Sequence, residues 1–157
     1  MGADPMSMSM HQKTTVGFTP ATDRRQAVLL GTELRGLARM SEALDANLVI
    51  LLANEFFCFA ADIVAAHNGE AITSQHEMLL CAFTRGNAMQ SAQQAVCAAQ
   101  RIQAEFPKLA EKWRHSYGLR CAVAQGLHLG ETVLGIAVPP GMGRRVAFGD
   151  SVSLAQA

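Results

Sequence analysis

At 157 residues the chain is the size of one ordinary domain, long enough to bury roughly two thirds of the surface its unfolded form exposes. Thirteen basic and thirteen acidic side chains cancel, which excludes a global field that would recruit nucleic acid or insert the segment at an anionic membrane. Half the residues are apolar and only 17% are charged, so part of the surface is expected to lie under another chain.

Residues 1–23 lack both the basic start and the apolar run of a signal peptide and read as a disordered leader, which leaves 24–157 as one domain. Residues 26–30 form a short apolar run suited to a strand buried on both faces, with its end pointing at Glu33. The stretch 41–45 carries capping residues for a long helix that runs to Ala66 and stops at His67-Asn68-Gly69, where Asn and Gly accept a left-handed turn. Residues 48–66 are apolar enough to suggest a membrane span, but Asn54, Glu55 and Asp62 interrupt them. A helix covered on two sides is the expectation. Phe56, Phe57 and Phe59 point around this helix, core on one side and dimer contact on the other.

Two short strands, 70–73 and 78–83, are expected to pair around a connection near Ser74-Gln75. An amphipathic helix follows over 87–105, with Pro107 predicted to break or restart it before a second short helix over 108–115. Strands at 119–128 and 131–138 are expected to form a hairpin about Leu129-Gly130. A Pro-Gly-Arg loop at 139–145 leads to a last strand ending at Gly149-Asp150. The order implies a ferredoxin-like α+β sheet, βαββαβ, with helices on one face. The four cysteines, Cys58, Cys81, Cys97 and Cys121, lie in apolar runs without ligand spacing. They are read as buried reduced thiols in a cytoplasmic protein.

Four short motifs occur in order: Glu33-Leu34-Arg35-Gly36, His67-Asn68-Gly69, Gly126-Leu127-His128-Leu129-Gly130-Glu131 and Phe148-Gly149-Asp150-Ser151-Val152-Ser153. Together they resemble a class III nucleotidyl cyclase domain, the adenylate and guanylate cyclase type, over about residues 28–157. The resemblance implies that fold, shortened at its C-terminus, and a site between two subunits. In that family two metal ions held by carboxylates activate the ribose hydroxyl and neutralise the triphosphate. The matching metal positions here are Glu33 and Glu77, each one methylene longer than the family's Asp, and a displacement of that size is costly where catalysis depends on position. The base-reading positions carry Thr73 and Val146 in place of charged or polar residues. The transition-state positions carry Ser153 and Ala157 in place of Asn and Arg.

The resemblance therefore implies a catalytically inactive module with no cofactor, acting as a homodimer or docked on another signalling domain. The alternatives are a divergent cyclase using Mg or Mn at Glu33 and Glu77 to make cyclic AMP or cyclic GMP, and a nucleotide sensor that does not react. His76 beside Glu77 reads as a turn residue and His128 as a strand-end packing residue. Gly141-Met142-Gly143-Arg144-Arg145 lacks the ending of a P-loop and reads as a turn.

Overall fold

The computed structural model describes residues 23–75, 77–137 and 144–150 together with Ala155. Eight elements follow one another: β1 (Asp23–Arg35), α1 (Leu37–Ser41), α2 (Ala46–Ala66), β2 (Glu70–Gln75), β3 (Met78–Phe83), α3 (Ala88–Tyr117), β4 (Ala122–Ala137) and β5 (Arg144–Phe148). The strands form one sheet in the order β2-β3-β1-β4-β5, and every neighbouring pair is antiparallel. This is the expected ferredoxin-like α+β arrangement, extended by β5. The leader at 1–22, His76, the loop at 138–143, and Ser153 and Ala157 lie outside the described residues.

β1 is central because its apolar run can be buried on both sides. Val28 and Leu30 face one way and Ala27 and Leu29 the other, and all four are buried. On one face α2 and α3 close over Val28, Leu30, Cys81 and Phe83 through Ala60, Val64, Ala98 and Ile102. The same layer continues into Leu34, Phe56, Phe106 and Trp113. The opposite face carries a smaller cluster of Ala27, Leu29, Ile72, Leu80, Leu134 and Ala155. β2 and β5 stand at opposite ends of the strand order, yet they touch, and Ile72 and Ala147 join that one cluster. The sheet is thus curled about its open face.

Caps hold the helices as the residue types dictate. Asp45 accepts from the Asn47 amide at 2.9 Å at the start of α2, and Asn68 ends that helix at φ 60°. Asn87 and Gln90 form a reciprocal capping box on α3, both bonds 2.9 Å. Gly118 closes α3 at φ 68°, its amide donating to the Arg114 carbonyl at 2.9 Å.

Five expectations need correction. Leu129-Gly130 is no hairpin: β4 runs straight through, Leu129 opposite Val28 and Gly130 opposite Ala27, because the long central strand templates it residue by residue. His128 consequently sits in mid-strand opposite Leu29 rather than at a strand end. Pro107 lies inside one continuous helix. It lines an open groove together with Gln103, where water can reach a carbonyl that proline leaves without a donor, while Phe106 and Trp113 on either side are buried. Cys58 and Cys97 are exposed; Cys81 is buried and Cys121 half-buried. Burial pushes the Cys81 thiol up to about 12 and the Cys121 thiol up to about 11.

The fifth correction concerns α2. Its buried face holds Leu52, Phe56, Ala60 and Val64, but its other face is open, with Ile50 61% and Leu51 59% exposed. Among the described residues it is the one helix long and apolar enough to cross a membrane by length and composition. Phe56 is buried and Phe57 and Phe59 are half-buried, with Phe56 and Phe59 both packed against Phe106.

Candidate functional site

Glu33 lies two residues from the end of β1, in register with Met78 of β3. The amide of Leu34 donates to the Glu77 carbonyl at 2.8 Å. The fold therefore brings the two predicted carboxylate positions to adjoining strand ends, a juxtaposition their separation in the chain does not show. Contrary to expectation, Glu33 is not past the end of its strand but within it, so its direction is set by the pleat. Its side chain is 34% exposed and meets the Arg35 guanidinium at 3.4 Å.

Glu33 opens into a pocket of about 90 Å³ whose other walls include Gly31, Met78, Ala124, Gly126 and Ala155. The floor is two glycines, Gly31 and Gly126, directly paired between β1 and β4. A Cβ on Gly31 would stand 2.4 Å from the Ala155 carbonyl oxygen, and one on Gly126 would stand 2.8 Å from it. The glycine pair thus lets the backbone at Ala155 lie directly on the sheet, beside the pocket. A glycine inside an apolar strand signals such an approach, and Gly31 after Leu29-Leu30 was that signal, unread in the sequence.

Thr73 is half-buried on β2, opposite Leu80 just after a register shift between Ala71 and Thr73. Val146, on β5, pairs through its backbone with Gly135 of β4. Because β2 and β5 touch, the two predicted base-reading positions stand on elements that the curl of the sheet brings together. Ser153 and Ala157 fall outside the described residues, so the structure places only the first half of the predicted site.

Glu33 and Glu77 offer carboxylate oxygens, which suit a hard divalent ion such as magnesium or manganese. Among the described residues no group of three His, Cys, Asp or Glu is assembled. Two carboxylates would leave the remaining positions of such an ion to water and phosphate oxygens.

No family model matches the sequence, and no curated protein matches it. Solved structures do. The adenylyl cyclase CyaB from P. aeruginosa superposes with a TM-score of 0.79 at 19% identity, over 86% of this chain and 71% of that one. The guanylyl cyclase Cya2 superposes with a TM-score of 0.77 at 24% identity, over 85% of this chain and 68% of that one. The non-canonical dimeric guanylyl cyclase domain of the RhoGC fusion protein from the aquatic fungus Blastocladiella emersonii gives 0.71 at 12% identity, over 86% and 72%. The chain has the fold of class III adenylyl and guanylyl cyclase catalytic domains.

Proposed function

We propose that this cyclase-homology module is catalytically inactive and serves as a dimerising or docking unit in cytoplasmic signalling. The observation that carries the reading is a mismatch between framework and chemistry. The curled sheet and the adjoining strand ends are in place, while Thr73 stands where the resemblance puts a base-reading lysine, and Ser153 and Ala157 stand where it puts Asn and Arg. A hydroxyl and a methyl cannot replace an ammonium and a guanidinium in holding a base and a triphosphate. Docking is supported by large apolar side chains left in solvent, Ile50, Leu51, Met89, Val96, Leu127 and Leu129, each more than 40% exposed. A dimer is also supported by one of the similar folds, which is described as dimeric.

A second reading rests on Glu33 and Glu77. Their carboxylates would hold one magnesium or manganese ion, which when bound would polarise a phosphate oxygen. In that case the chain is a divergent cyclase acting on ATP or GTP. Incubating the purified protein with ATP or GTP and manganese separates the two readings. The inactive module yields no cyclic nucleotide by chromatography, whereas product that disappears in Glu33→Ala establishes the second reading and removes the first.

A further inference from the structure

A second depression, about 620 Å³ in volume, shares Arg35 with the Glu33 pocket but extends over α1 and the turn between α3 and β4. Three arginines border it: Arg35 from the end of β1, Arg39 from α1 and Arg120 from the turn between α3 and β4. The backbone fixes this convergence. Arg35 is in register with Ala122 at the start of β4. Gly36, at φ 107°, lets the loop approach so closely that a Cβ there would stand 2.8 Å from the Arg120 carbonyl oxygen.

Two of the three charges at this rim are uncompensated among the described residues. Elsewhere Arg24, Arg101 and Arg114 each meet a glutamate. Among the described residues Arg39 and Arg120 have no ion pair, and Arg35 has only the 3.4 Å contact with Glu33. All three side chains are exposed. Guanidinium groups present flat forks of N–H donors that match phosphate oxygens two at a time, and like charges gathered on one rim gain most from an anion carrying several charges.

We propose that this depression binds a phosphate-bearing small anion, a polyphosphate that is free or part of a nucleotide, without a metal ion. Arg39 and Arg120 are its main donors. Arg35 joins them as it turns from Glu33. The site is separate from the Glu33 and Glu77 pair and does not depend on whether the module is active.

The test is calorimetric titration with sodium tripolyphosphate, and separately with ATP, in EDTA. Both anions should bind saturably, and more weakly as sodium chloride is added. Affinity should fall by roughly tenfold or more in the Arg39→Gln/Arg120→Gln double variant, as expected for loss of charged hydrogen bonds. Because both arginines are exposed, that variant should melt at the wild-type temperature without ligand. Glu33→Gln should tighten binding by releasing Arg35. ATP binding tighter than tripolyphosphate identifies a nucleotide as the source of the phosphate, and equal affinities identify polyphosphate alone. No saturable binding in EDTA, unchanged affinity in the double variant, or binding of ATP but not tripolyphosphate would each overturn the proposal.

Discussion

Thr32 is fully buried on the helix-covered side of β1, and its Oγ1 has no hydrogen-bond partner among the described residues. A buried hydroxyl without a partner carries a desolvation cost, and valine has nearly its shape. Thr32→Val should therefore raise the midpoint of urea unfolding, corresponding to about 1 kcal/mol. An unchanged or lowered midpoint would mean that the hydroxyl is satisfied in solution. Gly31 predicts the opposite sign. With backbone only 2.4 Å from where its Cβ would be, Gly31→Val forces the strand and the Ala155 segment apart, at a cost of about 1–3 kcal/mol for overpacking. If Gly31→Val melted like wild type, the close approach at Ala155 would be absent from the protein in solution.

The junction of α2 and α3 turns on one carboxylate. Glu55 accepts from the fully buried Trp113 indole at 2.9 Å and from the Lys112 ammonium. Partial burial works to raise the Glu55 carboxyl, but the hydrogen bonds from Lys112 and Trp113 and the Lys112 charge outweigh it and leave the group below its ordinary value. The same pair raises Lys112, through the hydrogen bond to Glu55 first and then its charge. A carboxylate whose folded value is depressed adds stability that is present above its unfolded value of 4.5 and is lost as pH falls through the folded one. Wild type should thus lose more melting temperature than Glu55→Gln as pH drops through and below the carboxylate range. Parallel curves would show that the contact contributes nothing. Glu55→Ala should cost about 1–3 kcal/mol by stranding the indole N–H.

Neither partner is legible as such in sequence, since Glu55 and Trp113 meet only when two helices pack. What was legible at this scale is what local chemistry decides: the apolar run of β1, the Asp45 and Asn87 caps, and the left-handed Asn68. The misread elements are those that tertiary context overrides. β4 passes through Gly130 because β1 supplies a partner for each residue, and α3 absorbs Pro107 because both ends of the helix are anchored. The candidate site divides in the same way. Glu33 and Glu77 were named from motif positions, but the glycine floor and the arginine rim are assembled from elements far apart in the chain.

Taken whole, the molecule has a helix-covered face that carries the large core and an open face on which β2, β5 and Ala155 gather around a small cluster. Because the larger core lies on the first, chemical groups on the open face can change without removing that core. The exposed leucines and isoleucine on α2 and β4 predict self-association or docking. Sedimentation of the purified chain should give a species heavier than 16.8 kDa, reverting toward that mass in Ile50→Asp/Leu51→Asp if α2 is the contact. A wild-type monomer at high concentration would leave the docking role to a different chain.

If the framework is sound and only the side chains set upon it have changed, restoring those side chains should restore turnover. The direct measurement is cyclic nucleotide formed from ATP and GTP with manganese, read by mass spectrometry for wild type beside a variant carrying Glu33→Asp, Thr73→Lys, Glu77→Asp, Ser153→Asn and Ala157→Arg together. Wild type should give no product and the restored variant a measurable one; wild type turning over as fast as that variant would show that the module is not inactive.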